Sequence, residues 1–374
     1  MQIFFPKEEG TEIRATILPE VAKKFTDLGI KVVVETEIGS NIFLTDESYR
    51  QAGAIISTDR LRSLSEADIV CRINKPKLEE ISSLKRNSIH VSFLDPFNER
   101  ALVNEFAKAH ISAISMELVP RITRAQKMDA LSSQANLAGY SAVIEASRTL
   151  TKSFPMMMTA AGTISPSRVF VIGVGVAGLQ AIATAKRLGA VVSATDVRIA
   201  TKEQVESLGA KFIMVEDEET QGAETSGGYA KEMSEEYKKK QSILIAQTIS
   251  KQDIVICTAL IPGKPAPVLV SEEMINTMAP GSIVVDLAVE AGGNCPLSKL
   301  GQIVIHNGVK IIGHANVPGR VAKDASNLYA KNIVNFLSLF IKQDEKKIDI
   351  DWNDEIIRAV VLTHNGELKL EEFK

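Results

Sequence analysis

A run of glycines joins an apolar segment to a helix-favouring segment near the middle of the chain. Val169–Ile172 leads into Gly173-Val174-Gly175-Val176-Ala177-Gly178, which Leu179–Leu188 follows. Glycine permits a tight turn at Gly173, lets a ligand approach the backbone at Gly175 and allows close packing of helix on strand at Gly178. The N-terminus of the following helix offers N–H groups and partial positive charge to phosphates. This segment, the cradle, is therefore predicted to bind the pyrophosphate of a dinucleotide.

An acidic residue follows the cradle. Asp196 ends the next apolar run, Val191–Thr195, and lies 18 residues after Gly178. A carboxylate there can accept hydrogen bonds from both ribose hydroxyls and repels a 2′-phosphate, which favours NAD(H) over NADP(H). Arg198 argues the other way, since a nearby arginine can serve NADP. In the alternative interpretation the glycines only punctuate a turn and Asp196 only caps a helix, but the register of strand, glycines, helix, strand and acid favours the cofactor site.

Two further segments are candidates for chemistry. Pro120–Asn136 has a helix-like composition, and if it is helical its polar side chains at intervals of three and four share one face: Gln126, Asp129, Ser133 and Asn136. The alternative is a solvated helix face. Glu216–Lys240 is rich in charged and small residues, which predicts an exposed, mobile loop. Tyr229, next to Gly227 and Gly228, belongs either to a lid over the nucleotide or to an ordinary surface loop.

Two alternating series of strands and helices would position these groups. The first series of candidate strands is Ile3–Phe5, Lys31–Glu35, Ala54–Ser57, Asp68–Ile73, Ile89–Phe93 and Ile111–Ser115. The second is Val169–Ile172, Val191–Thr195, Phe212–Val215, Asp253–Thr258, Ile283–Leu287 and Lys310–Ile312. Alternation of this kind is typical of parallel sheets with crossover helices. We therefore expect an α/β protein of two Rossmann-like domains separated by a cleft, the second being the dinucleotide-binding one.

The helical segments suggest where the domains meet. Pro19–Leu28 reads as an amphipathic helix that ends at Gly29. The alanine-rich stretch Ala125–Leu150 is a helix that could bridge two domains, and Ala325–Ile341 and Ile356–Leu362 are helical near the end. The expected domains are residues 1–132, completed by residues 321–374, and residues 133–320.

Composition excludes several classes of protein. The 374 residues carry a net charge of −3, without the basic excess of a nucleic-acid binder. Three dispersed cysteines, Cys71, Cys257 and Cys295, offer neither a disulfide framework nor a zinc spacing, so no metal is expected. The start of the chain turns acidic too early for an export signal, and no uninterrupted apolar run reaches the roughly 18 residues of a membrane span. A soluble protein of a reducing compartment is expected.

Several long motifs resemble one family. They are Arg121–Tyr140, the cradle with Leu179-Gln180-Ala181, Gly227-Gly228-Tyr229-Ala230 and Gly292-Gly293-Asn294-Cys295. The chain resembles, over essentially its whole length, the NAD(H)-binding component of proton-translocating nicotinamide nucleotide transhydrogenases. It is most similar to the separate alpha subunit of bacterial three-subunit forms, because no membrane helices follow. The fold is shared with alanine dehydrogenase.

The resemblance implies an enzyme and a set of site residues. Hydride would pass directly between NADH bound here and NADP+ bound by a partner beta subunit, coupled to proton movement through membrane-embedded subunits. The component would be a homodimer in the cytoplasm, attached through its partners to the inner membrane. Residues matching Arg121, Gln126, Asp129 and Ser132 surround the nicotinamide. The implied cofactor-binding set is Gly173, Gly175, Val176, Ala177, Gly178, Asp196, Val197, Arg198, Gly228, Tyr229, Ala259 and Leu260.

Two rival functions remain. Arg14 and Lys75 match positions that bind substrate in alanine dehydrogenase, but the position of its catalytic histidine reads Asp95 here. Amino-acid dehydrogenation needs a proton acceptor with a pKa near neutral, whereas hydride exchange between nicotinamides moves no proton at the reacting carbons. The sequence therefore favours transhydrogenase. The other rival is a non-catalytic NAD(H) sensor, which would share every feature of the cradle.

Overall fold

The computed structural model describes residues 1–215, 233–261, 263–342 and 347–371. The chain divides into two compact units. Unit 1 comprises residues 1–134 and 321–374, and unit 2 comprises residues 135–320.

Unit 1 is built on a six-stranded parallel sheet. Its strands are β1 (Gln2–Phe5), β2 (Lys31–Glu35), β3 (Ile55–Ser57), β4 (Ile69–Cys71), β5 (Ile89–Ser92) and β6 (Ser112–Ser115). Their order is β3-β2-β1-β4-β5-β6, which reverses direction between β1 and β4. The helices of this region are α1 (Pro19–Asp27), α2 (Asp46–Gln51), α3 (Arg60–Glu66), α4 (Arg100–Lys108) and α5 (Ala130–Thr149), the last of which continues into unit 2. Most strand residues are buried, because helices cover a parallel sheet on both faces.

Unit 2 repeats the same plan. Its main strands are β9 (Arg168–Ile172), β10 (Val191–Thr195), β11 (Lys211–Phe212), β12 (Ile254–Cys257), β13 (Ile283–Asp286), β14 (Gln302–His306) and β15 (Val309–Gly313), preceded by a hairpin of β7 (Met157–Thr159) and β8 (Gly162–Ile164). The sheet order is β11-β10-β9-β12-β13-β15-β14, with only β14 antiparallel to its neighbour among the described strands. The helices are α6 (Val176–Arg187), α7 (Thr201–Ser207), α8 (Glu235–Ile249) and α9 (Glu272–Asn276). The α/β fold with Rossmann-like parallel sheets is confirmed.

The C-terminal segment completes unit 1. Helix α10 (Ala322–Leu337) buries Tyr329, Ile333 and Phe336 in the same core as strands β1 and β2. Beyond it lie β16 (Ile341–Lys342), β17 (Lys347–Ile348), α11 (Glu355–Val360), β18 (Thr363–His364) and β19 (Glu367–Leu368). Short 3₁₀ turns occur at Ser40–Ile42, Leu78–Ser83, Met116–Leu118, Thr123–Met128, Val289–Ala291 and Val317–Val321.

Several predicted boundaries differ from the structure. The strand predicted at Phe212–Val215 pairs only as Lys211–Phe212, although the amide of Ile213 still donates to Ala194. The helix predicted to run to Ile341 ends at Leu337. The loop predicted from Glu216 is helical at its end, where the Ser234 side chain caps α8 and Tyr237 is buried. Strand β14 and the hairpin β7–β8 were not predicted.

No helix in the described residues is long and apolar enough to cross a bilayer. The three cysteines are buried thiols without disulfides. Within the four described ranges, no group of side chains is suited to hold a metal ion.

Candidate functional site

The first and third glycines of the cradle are required by close packing. Gly173 follows β9 with a left-handed φ of 94°, and a Cβ there would lie 2.8 Å from the Thr258 hydroxyl and 2.9 Å from the Ala259 amide nitrogen. A Cβ on Gly178 would lie 2.0 Å from the carbonyl oxygen of Gly173. Both distances are far below van der Waals contact, so only glycine fits. The predicted reasons for glycine at these two positions agree with this geometry.

Gly175 differs from its neighbours because its surroundings are open. It is the N-cap of α6, with an ordinary φ of −84°, and a Cβ there would meet no atom within 4 Å. The amides of Val176, Ala177 and Gly178 in the first turn have no acceptor among the described residues. A space beside unpaired helix N-terminal amides suits a phosphate group. The cradle therefore fits the pyrophosphate predicted from the sequence.

Asp196 lies beside the cradle. It is buried, and its Oδ2 accepts a hydrogen bond from the Val174 amide at 2.7 Å, so the carboxylate is tied to the glycine turn. Arg198 binds both carboxylate oxygens, with Nε 2.8 Å from Oδ1 and Nη2 2.7 Å from Oδ2, and its backbone amide lies 2.9 Å from Oδ1. Val197 is the residue between them. The position predicted for ribose recognition is thus held at the edge of the cradle.

Helix α5 also supports the cradle. Gly139 is packed so closely against α6 that a Cβ would lie 2.1 Å from the carbonyl oxygen of Ala177. One turn earlier, Asn136 donates from Nδ2 to Gln180 Oε1 over 3.3 Å. From the sequence, Gly139 reads only as an interruption of a helix. Its role is to let α5 reach the first turn of the phosphate-binding helix.

Asn294 fixes the loop that follows β12, and its role was not predicted. Its Oδ1 accepts from the Ala259 amide at 3.1 Å, and its Nδ2 donates to the carbonyls of Ala259 (2.9 Å) and Pro267 (2.8 Å). The buried carboxylate of Asp286 in turn accepts from the Asn294 amide at 3.2 Å. Ala259 is therefore rigidly held, whereas Leu260 beside it is exposed. A buried asparagine after two glycines was the available signal.

The four residues predicted around the nicotinamide belong to unit 1. The prediction that Gln126, Asp129, Ser133 and Asn136 share one helical face is wrong. Thr123–Met128 is a 3₁₀ turn and Asp129 has a non-helical ψ of 89°, so α5 begins only at Ala130. The Asp129 carboxylate accepts from the Ser132 amide at 2.8 Å and from its hydroxyl at 2.6 Å, which caps the helix. Asp129 and Ser132 are thus brought together.

Arg121 and Gln126 are exposed side chains close in sequence to this cap. The Gln126 side chain has no hydrogen-bond partner among the described residues, so it is available for a ligand. Arg124 between them is engaged elsewhere, because its guanidinium forms a bidentate pair with Asp354 at 2.7 and 2.9 Å. Gly228 and Tyr229, predicted in the lid, lie outside the described residues.

Comparison with known proteins gives these features a family. The family described as Alanine dehydrogenase/PNT, N-terminal domain, matches residues 4–138, and its C-terminal domain counterpart matches residues 142–371. The chain belongs to the alanine dehydrogenase/PNT family.

Relatives that are similar over the whole chain are transhydrogenase subunits. An NAD(P) transhydrogenase alpha subunit of Rhodospirillum rubrum is 53% identical, covering 98% of this chain and 97% of that protein. The corresponding subunit of Rickettsia prowazekii is 47% identical, covering 98% and 96%. The crystal structure of transhydrogenase from Sinorhizobium meliloti has a TM-score of 0.89 at 47% identity, covering 98% of this chain and 100% of that chain. The resemblance to transhydrogenase is confirmed.

An L-alanine dehydrogenase structure shares the fold, with a TM-score of 0.81 at 22% identity over 100% of this chain and 98% of that chain. In this member of the alanine dehydrogenase/PNT family, the Arg14 guanidinium is buried against Glu12, with Nη2 2.6 Å from Oε2, and donates to Gln134 at 2.7 Å. Lys75 lies 3.3 Å from Asp95 Oδ2 and 2.6 Å from Glu99 Oε1. Asp95, at the position of the dehydrogenase histidine, is therefore held in an ion pair.

Two buried carboxyl groups hold loops at the carboxyl ends of the unit 1 strands. Glu8 accepts from the amide of Ile73 at 2.6 Å, and burial raises its pKa although the Arg72 charge opposes the shift. Glu117 accepts from the amide of Leu94 at 2.9 Å, and burial raises its pKa as well. Because both groups are consumed by backbone amides, their role in this alanine dehydrogenase/PNT chain is structural.

Proposed function

We propose that this chain is the NAD(H)-binding component of a proton-translocating transhydrogenase. It would hold NADH while hydride passes directly to NADP+ on a partner beta subunit, coupled to proton movement through membrane-embedded subunits. The observation that carries the proposal is the open approach to Gly175, beside unpaired amides of α6 and next to the carboxylate of Asp196. The identity to transhydrogenase alpha subunits supports the same conclusion.

The cradle residues would bind the adenosine and pyrophosphate half of the cofactor. The first-turn amides of α6 would donate to the phosphates, and Asp196 would accept from the ribose. Ala259, fixed by Asn294, and Leu260 would line the same site, with Gly228 and Tyr229 covering it. A carboxylate at the ribose favours NAD(H), because a 2′-phosphate would meet a negative charge.

Arg121, Gln126, Asp129 and Ser132 would position the nicotinamide ring. NADH itself supplies the hydride, so the protein has to orient the ring, exclude water and present the reacting carbon at contact distance. The exposed amide of Gln126 suits the carboxamide group of the ring. The cap formed by Asp129 and Ser132 would hold this segment in one conformation. No general acid or base is required, which is consistent with the ion pair that holds Asp95.

A homodimer is part of the proposal, and the hairpin β7–β8 offers a surface for it. Met156, Met157, Met158 and Ile164 are all exposed there, and Met158 is 78% exposed. An apolar projection of this kind is typical of an association surface. The change Met158→Asp should therefore convert dimer to monomer in analytical ultracentrifugation without changing circular dichroism. A dimer that persists in this variant would contradict the use of the hairpin. Attachment to the cytoplasmic side of the inner membrane would come through the partner subunits.

The decisive experiment mixes the purified chain with its NADP(H)-binding partner. Reduction of an NAD+ analogue by NADPH should appear only when both are present. If NADH binds but no turnover occurs, the chain is a sensor rather than an enzyme. Oxidation of NADH by this chain alone with pyruvate and ammonia would instead establish an alanine dehydrogenase. Absence of NADH binding would refute all three functions.

A further inference from the structure

The carboxylate of Asp196 already accepts hydrogen bonds at every site it offers. Oδ2 accepts from the Val174 amide at 2.7 Å and from Arg198 Nη2 at 2.7 Å. Oδ1 accepts from the Arg198 amide at 2.9 Å and from Arg198 Nε at 2.8 Å. A carboxylate has about four lone-pair sites, two on each oxygen. A sugar hydroxyl therefore cannot bind Asp196 unless one of these four donors leaves.

The guanidinium is the donor that can leave at the lowest cost. Two of the four donors are backbone amides, and the amide of Val174 belongs to the glycine turn itself, so moving it would disrupt the cradle. The guanidinium sits at the end of a flexible side chain that is 12% exposed, whereas the Asp196 side chain is 6% exposed. Rotation about the side-chain bonds of Arg198 would uncover the carboxylate without moving the backbone.

The guanidinium also resembles the group that it would give way to. Nε–H and Nη2–H form two parallel donors that meet the two carboxylate oxygens. The two hydroxyls of a ribose lie on adjacent carbons and likewise present two neighbouring donors. We infer that Arg198 occupies the ribose-recognition face of Asp196 in the absence of cofactor and is displaced when NAD(H) binds. This inference rests on the proposed cofactor site and gives Arg198 the role of a competitor rather than a holder of the ribose.

Competition has two consequences for affinity. The ion pair between Arg198 and Asp196 must be broken on binding, so it lowers the affinity for NADH. It also keeps the carboxylate charged and oriented while the site is empty, because the same two oxygens stay fixed by the amides of Val174 and Arg198. Removal of the guanidinium alone should therefore strengthen NADH binding while leaving the carboxylate in place.

The test measures NADH affinity in the full chain by isothermal titration calorimetry. For Arg198→Met we expect a dissociation constant about 3- to 10-fold lower than that of the unaltered chain, as expected when a partly exposed ion pair no longer has to be broken. The matched control is Lys202→Met, which removes one positive charge from the neighbouring helix α7, where Lys202 is not among the four donors to Asp196. It should bind NADH within about twofold of the unaltered chain or slightly more weakly, through the lost long-range attraction for phosphates.

A second probe separates competition from a general charge effect. The analogue of NADH that lacks the adenosine 2′-hydroxyl leaves one oxygen of Asp196 without its sugar donor. In the unaltered chain Arg198 can keep a bond to that oxygen, so the loss of affinity relative to NADH should be small. In Arg198→Met the loss should be several-fold larger. If Arg198→Met does not fold by circular dichroism, Arg198→Lys, which can form only a single-point contact, should show the same changes at reduced size.

The outcomes distinguish the inference from the proposed function. If the unaltered chain binds no NADH, the proposed function fails. If it binds NADH but Arg198→Met binds more weakly than Lys202→Met, Arg198 holds the cofactor and the inference of competition is overturned. Equal effects of the missing 2′-hydroxyl in both chains would also overturn it, because competition requires them to differ.

Discussion

Replacement of Gly175 by alanine separates binding from folding. Among the glycines of the described residues, Gly175 alone combines an ordinary φ of −84° with open space around an added methyl group. Alanine can adopt this conformation without strain, and it restricts the unfolded chain more than glycine does. We therefore expect the free energy of unfolding to stay within about 1 kcal/mol of the unaltered value.

The same methyl group should impair NADH binding. It would stand in the space through which the pyrophosphate has to approach the first-turn amides of α6. A hydrogen bond to a charged group contributes about 1.5–3 kcal/mol, so the loss of one such contact raises the dissociation constant by roughly 10- to 150-fold. Larger losses would follow if the phosphates were displaced from more than one amide.

The assay is fluorescence or calorimetric titration with NADH, paired with urea unfolding of the same samples. Gly178→Ala is the contrasting variant, because its Cβ would lie 2.0 Å from the Gly173 carbonyl and should cost about 1–3 kcal/mol of stability. The reasoning is refuted if Gly175→Ala binds NADH as tightly as the unaltered chain. It is also refuted if Gly175→Ala loses as much stability as Gly178→Ala.

Three further predictions test the support of the site and the core of unit 1. Gly139→Ala should lose about 1–3 kcal/mol of stability, because its Cβ would lie 2.1 Å from the Ala177 carbonyl oxygen; a variant as stable as the unaltered chain in urea unfolding would contradict this packing. Gln126→Leu should lower the rate of hydride transfer more than NADH affinity, and equal losses in both would undercut its assignment to the nicotinamide. Burial, aided by the Arg72 charge, lowers the pKa of His90 from 6.5 to about 3, so between these values the unfolded chain takes up a proton that the folded chain does not. Stability should therefore fall by up to about 1.4 kcal/mol per pH unit as the pH decreases from about 6 to about 4, and His90→Leu, followed by the fluorescence of Trp352 in unit 1, should show a shallower slope.

Sequence patterns predicted the buried strands well because parallel strands covered on both faces are continuous apolar runs. Every strand of the unit 1 sheet and β9, β10, β12, β13 and β15 of unit 2 overlap a predicted strand. Strand β14 was missed because it is an edge strand whose Ile303 and Ile305 are exposed among polar neighbours. A signal did exist: Asn307 and Gly308 both have positive φ, 48° and 82°, and Asn-Gly is the preferred pair for a tight hairpin turn.

The polar segment before the cradle shows a different failure. Spacing alone placed Gln126 and Asp129 on one helical face with Ser133, because intervals of three and four fit a helix. Aspartate, however, is among the preferred N-cap residues, and Asp129 uses its carboxylate to accept from the Ser132 amide. The helix therefore starts at Ala130 and the preceding turn is 3₁₀. The residue types of this candidate site were informative, but the periodicity was not.

The features of the candidate site that sequence could not supply are those made by contacts between distant segments. A glycine inside a helix costs about 1 kcal/mol relative to alanine, so Gly139 reads as a defect until α6 is known to lie against it. Asn294 reads as a loop residue until its amide is seen bridging Ala259 and Pro267. The saturation of Asp196 is of the same kind, because it depends on Val174 and Arg198 converging on one carboxylate. Pattern and spacing thus located the acid that would recognise a ribose, while only the geometry showed that the protein's own arginine already occupies it.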